Sequence, residues 1–131
     1  MGAWGVQIFD NDEAMDWTYD LEASSDLSVV TAALEAVTKP VNGALDAMEC
    51  CNALAAAEVV AALTGKATAA LPEEVAAWVN DKPAPDGTVV AKAKEAVRSV
   101  LNGSELRGLW EETDDFDAWT AAVDDLIARL A

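Results

Sequence analysis

Residues 43–65, "GALDAMECCNALAAAEVVAALTG", constrain the fold more than any other part of the chain. The stretch is long enough for a helix of several turns, and apolar residues occur on nearly every side of its helical projection. A helix without a polar face must have neighbours on several sides, and its alanines allow them to approach closely. The stretch is therefore predicted to be the central helix of a helical assembly, ending at Gly65. Within it, Glu58 lies in "AAAEVVAA" and projects away from Asp46 and Glu49, so the three acids share no face. A carboxylate enclosed by apolar surface must be paired or protonated. Arg107, in "SELRGLW", is the expected partner, forming a buried structural pair with Glu58 rather than leaving it as a catalytic acid.

The flanking sequence supplies the neighbours. Asp10 or Asn11 can cap a first helix with Ala14, Trp17 and Leu21 on one stripe and acids in its first turn. After the Ser24-Ser25-Asp26 break, Leu27, Val30, Leu34 and Val37 repeat at helical spacing until Lys39-Pro40. "LPEEVAAWV" has Pro72 and two glutamates where a helix start favours them, and "NDKPAPDG" then breaks the chain. A further helix is predicted from about Thr88 to Leu101, stopping at Asn102-Gly103. "SELRGLWEE" forms a short one. The last starts near Asp114 or Asp115 and carries Phe116, Trp119, Val123, Leu126 and Leu130. The expectation is an all-α fold: residues 1–131 as a single domain of five to seven helices, with an extended N-terminal segment packed against them.

That segment is the one place where residues alternate. Trp4, Val6 and Ile8 alternate with Gly5 and Gln7, so an extended chain could press all three into a groove between helices. They are expected to form a plug, with the glycines beside Trp4 letting the backbone come close. All five tryptophans are predicted to be buried, Trp17, Trp78, Trp110 and Trp119 through the stripes of their helices.

Charge and composition narrow the chemistry. Lys and Arg number 8 against 24 Asp and Glu, a net charge of −16 that repels nucleic-acid phosphates and anionic lipid. Basic proteins, cations and amines are the permitted partners, and self-repulsion favours a monomer. The absence of histidine removes Ser-His-Asp and Cys-His catalysis and His-ligated zinc. Cys50 and Cys51 are adjacent in a helical pattern, where side chains diverge, so they read as small core residues of a cytoplasmic protein. Neither a basic-apolar leader nor a membrane-length apolar run is seen.

Asp10, Asp12 and Asp16 are the residues that could collect a metal ion, Asp12 and Asp16 sharing a helical face. The EF-hand pattern fails, since Ala14, Met15 and Leu21 stand where a ligand, a glycine and a bidentate acid are required. These acids and the run from Glu111 to Asp117 are read as helix caps and solvated faces. A cation between the two runs would require that they meet in space. No phosphate-cradling glycine loop is present, because "GAWG" neither follows a strand nor carries a lysine. No cofactor is expected.

"MGAWG…FDND.A.DW", "ALAAAEVVAAL", "LPEEV..W", "VL.GSELR.LW" and "W..AV.DL..RL" occur in this order over nearly the whole chain. Together they resemble a family of small acidic bacterial proteins, domain-of-unknown-function family 4259, from which Val6-Gln7 departs slightly. The resemblance implies a bacterial origin and a compact helical domain; it implies no activity and no assigned site.

The leading functional expectation is a non-enzymatic acidic interaction module, an inhibitor or immunity-type partner covering a basic protein. The alternatives are a cation-binding or acid-dependent hydrolase using Asp10, Asp12 and Asp16, with Glu58 as a possible addition, and a DNA mimic whose carboxylates follow phosphate spacing.

Overall fold

The computed structural model describes residues 3–40, 43 and 45–131. Among these residues seven helices run in order: α1 (Asp12–Glu22), α2 (Ser28–Thr38), α3 (Ala47–Leu63), α4 (Glu73–Asn80), α5 (Gly87–Asn102), α6 (Glu105–Glu111) and α7 (Phe116–Leu130). The fold is all-α.

Helix α3 is the axis. Twelve of its seventeen residues are buried, and every other helix packs against it. Ala53, Ala55, Ala56, Ala57 and Ala61 are fully enclosed, so the small side chains anticipated from the sequence are what let six neighbours share one helix. Each neighbour contributes an apolar stripe: Ala14, Trp17 and Leu21 from α1, Val30, Leu34 and Val37 from α2, and Trp119, Val123, Leu126 and Leu130 from α7. Around Trp119 the aromatics stack, with Trp110 6.1 Å and Phe116 6.2 Å away between ring centroids.

Local chemistry sets the helix ends. Asn11 caps α1 by accepting from Ala14 N at 2.8 Å, and Asp46 and Asp86 cap α3 and α5 in the same way. The starts of α3 and α6 also cap each other: Ala47 N donates to Glu105 Oε1 at 2.7 Å, and Glu105 N to Leu45 O at 3.0 Å. At the far end of α3, Gly65 adopts φ +85°. Gly65 N then donates to Ala62 O and Lys66 N to Ala61 O, the two bonds of a Schellman turn. Trp78 Nε1 donates to Ser24 O at 2.9 Å, fastening α4 to the α1–α2 connection.

The N-terminal segment departs from the sequence expectation. Residues 3–11 are not an extended strand but a closed loop, pinned by an isolated antiparallel bridge between Ala3 and Asn11 and by Trp4 N donating to Asp10 O at 2.9 Å. Gly5 leaves room inside it for the Asp10 carboxylate, which a Cβ there would displace. The loop's turn buries two successive side chains, Ile8 and Phe9, which an extended strand would send to opposite faces. Val6 is only partly buried, and Trp4 is 62% exposed. The predicted plug of Trp4, Val6 and Ile8 is therefore corrected: Ile8 and Phe9 enter the core, and the chain reversal carries Trp4 outward. The other four tryptophans are buried.

Candidate functional site

Helices α1 and α2 both pack on α3 but hardly touch each other. The side of α2 that faces α1 is made of Ser28, Val29, Ala32, Ala33 and Ala36, too small to close the gap. The result is an open groove of about 630 Å³, walled on the α1 side by Trp17, Asp20, Ala23 and Ser24 and floored by Glu49 and Asn52 of α3.

Its lining is chemically one-sided. Asn52 Oδ1 is buried without a hydrogen-bond donor among the described residues. Leaving a buried acceptor unsatisfied costs about 1–3 kcal/mol, which the fold retains at a position where leucine or alanine would suit the helix. Glu49 lies beside Asp46, whose carboxylate accepts from Glu49 N at 2.8 Å, and the neighbouring Asp46 carboxyl together with desolvation raises the Glu49 pKa from its ordinary value. Ser24 donates its hydroxyl hydrogen to Asp26 O at 2.9 Å and its oxygen accepts from Asp26 N at 3.4 Å, so the hydroxyl is engaged within the α1–α2 turn. Among the described residues, no lysine or arginine lines the groove.

Glu58 is buried as expected from its place in α3, but its partner is not Arg107. Arg129 of α7 forms a bidentate pair with it, Nη1 donating to Oε1 at 2.6 Å and Nη2 to Oε2 at 3.1 Å. Arg129 also donates to Asp125 Oδ2 and to Lys66 O, the carbonyl presented by the Schellman turn. Desolvation raises the Glu58 pKa and the Arg129 guanidinium opposes it; both carboxylate oxygens accept, which is the geometry of the ionised pair. Arg107 instead bonds Glu111 within its own helix at 2.9 Å, donates to Leu101 O, and lies over the Phe116 ring. The correction has a simple cause: Arg107 is four residues from Glu111 on one helical face, whereas α7 runs alongside the C-terminal half of α3.

The acidic runs are dispersed. Asp10 Oδ2 accepts from Gln7 N at 3.2 Å inside the N-terminal loop, while Asp12 and Asp16 are exposed on α1. The second run approaches the loop through Asp115, which shares a crevice of about 260 Å³ with Trp4, Gly5 and Trp110. Among the described residues, no three Asp, Glu, Cys or His side chains are grouped to hold a metal ion. Cys50 and Cys51 are free and buried, and desolvation pushes their thiols up to about 11 and about 12.

Cations are scarce. Lys92, Arg107 and Arg129, three of the eight, are held in salt bridges to Glu35, Glu111, Glu58 and Asp125. Only those four of the 24 acids have such a partner among the described residues. The surface field is thus strongly negative, and the groove opens into it.

Sequence reasoning missed Arg129 and Asn52. The first carried no signal, lying 71 residues from Glu58. The second did: Asn52 interrupts "CCNALAAA", and a lone amide in an otherwise apolar helix poses the same question as Glu58.

No described helix is long and apolar enough to cross a membrane. No curated protein and no solved structure matches the chain. The family model described as "Domain of unknown function (DUF4259)" matches residues 2–122, nearly the whole length, and the chain belongs to that family.

Proposed function

We propose that the protein is a non-enzymatic interaction module that binds a basic partner protein, as an inhibitor or immunity-type partner does. The observation that carries this reading is the imbalance of charge: 24 acids against 8 bases, with three of the bases consumed by internal pairs. A field of that sign accelerates encounter with a cationic surface and rejects anionic ones. The groups with altered acidity do not favour turnover. Both thiols are raised far above neutrality, where a nucleophile needs a thiolate, and Glu58 is held by Arg129.

The test is capture on the immobilised protein from an extract of its native host, followed by calorimetry with the purified captured species. A basic protein that binds one-to-one, with an affinity that falls steeply with salt, is the expected result. Retention of nothing basic, or turnover of an ester, phosphoester or peptide substrate by the protein alone, would overturn it.

A further inference from the structure

Among the described residues three large apolar side chains stand exposed, Trp4, Tyr19 and Met48, and two of them border the same short helix. Met48 lines a crevice of about 300 Å³ together with Leu106 and Leu109 of α6. Trp4 lines the crevice of about 260 Å³ that touches α6 at Trp110 and continues past its end at Thr113. The two crevices thus flank the last turn of α6. Trp4 is 62% exposed and Met48 56%, too exposed for their apolar surface to serve the core. Both are nevertheless held by fixed backbone. The Ala3–Asn11 bridge and the bond from Trp4 N to Asp10 O close the loop that carries Trp4. The reciprocal caps of Ala47 and Glu105 lock the start of α3, where Met48 is the second residue, to the start of α6. Tryptophan and methionine are enriched at the centres of protein interfaces, and side chains on a preorganised backbone lose little further freedom when covered.

The rim of this surface favours one kind of cover. Asp12 and Glu13 line the Met48 crevice, and Asp115 lines the Trp4 crevice. None of the three has a salt-bridge partner among the described residues, and no described lysine or arginine lines either crevice. A second copy of the chain would set the same acids against one another, whereas a cationic protein surface is attracted to them. We propose that this α6 face is the docking surface for the basic partner protein, whose apolar side chains cover Met48, Leu109 and Trp4 while its lysines or arginines meet Asp12, Glu13 and Asp115. The proposal rests on the reading of the protein as a binder of basic partners and names the surface on which recognition occurs. Tyr19, though 71% exposed, lines neither crevice and lies outside that surface.

The probe is the amphipathic peptide Ac-Lys-Leu-Leu-Lys-Lys-Leu-Leu-Lys-NH2, titrated into the full chain while the Met48 methyl and Trp4 indole signals are followed by NMR. Saturable shifts at both groups are expected. The counterpart with serine in place of leucine carries the same charge and should bind at least about tenfold more weakly. By calorimetry, Met48→Ser combined with Trp4→Ser should weaken the leucine peptide at least about tenfold, whereas Tyr19→Ser should leave its affinity unchanged. All three positions are exposed, so the variants keep the core intact. Equal binding of the leucine and serine peptides, or shifts confined to other faces, would overturn the inference and leave the broader reading standing. Failure of both cationic peptides to bind at low salt would remove that reading and the inference with it. Self-association of the parent that the double variant loses would assign the face to a second copy and overturn the inference.

Discussion

Removing Arg129 should destabilise the protein more than neutralising Glu58, and by an amount that depends on pH. The Glu58 side chain is 2% exposed and that of Arg129 is 18% exposed. In Arg129→Met, Glu58 is left as a buried carboxylate without a cation, a loss of about 3–5 kcal/mol at pH 7.5. In Glu58→Gln the guanidinium keeps Asp125 at 2.8 Å, Lys66 O at 3.2 Å and some contact with water, so the expected loss is only about 2 kcal/mol. The sign of the pH effect follows from the direction of the shift. Glu58 is already raised above its unfolded value by desolvation, and losing the opposing guanidinium raises it further. A carboxyl raised in the folded state contributes its stability in full below the unfolded pKa, and that contribution is lost as pH rises through the folded pKa. In the variant this loss extends to higher pH, at about 1.4 kcal/mol per pH unit between the two values. Urea unfolding followed by tryptophan fluorescence at pH 7.5 and pH 5 should therefore show the Arg129→Met deficit shrinking on acidification. Glu58→Leu combined with Arg129→Met should recover much of the single-variant loss. A deficit independent of pH, additive single losses, or a larger cost for Glu58→Gln at pH 7.5 would refute the reasoning.

Three further outcomes follow from the packing. Asn52→Leu should raise the urea midpoint, by about 1 kcal/mol in stability, because it removes an unsatisfied buried acceptor. Trp119→Ala should cost about 3–5 kcal/mol, whereas Trp4→Ala, at a 62% exposed position, should fall within about 0.5 kcal/mol of the parent in the same assay. Gly65→Ala should cost about 1–2 kcal/mol in thermal or urea unfolding. A methyl group there meets nothing within 4 Å, so the loss comes from the φ of +85° alone.

Local rules and the central helix were legible because each depends on residues close in sequence. An apolar projection on all faces can be read without knowing what covers it, and α3 is surrounded as that pattern requires. The Asn11 cap, the Gly65 stop and the stripes of α1, α2 and α7 are likewise decided within a turn or two of chain. The burial of Glu58 could be read, but not its partner, since which of several cations lies beside α3 depends on how α7 crosses it. The exposure of Trp4 is not legible for a related reason: alternation describes a strand, and the bridge from Ala3 to Asn11 that bends the segment leaves no mark on periodicity. The groove is least legible of all. It exists because Ala32, Ala33 and Ala36 are small where α1 and α2 would otherwise meet, and an alanine facing a groove looks the same in sequence as one facing a close neighbour.

The central claim is that the excess of negative charge recruits a basic partner. Calorimetry of the basic protein captured from the native host, at low and at high salt, tests it most directly. The account predicts one-to-one binding whose affinity falls steeply as salt rises. An affinity that salt leaves unchanged would contradict it.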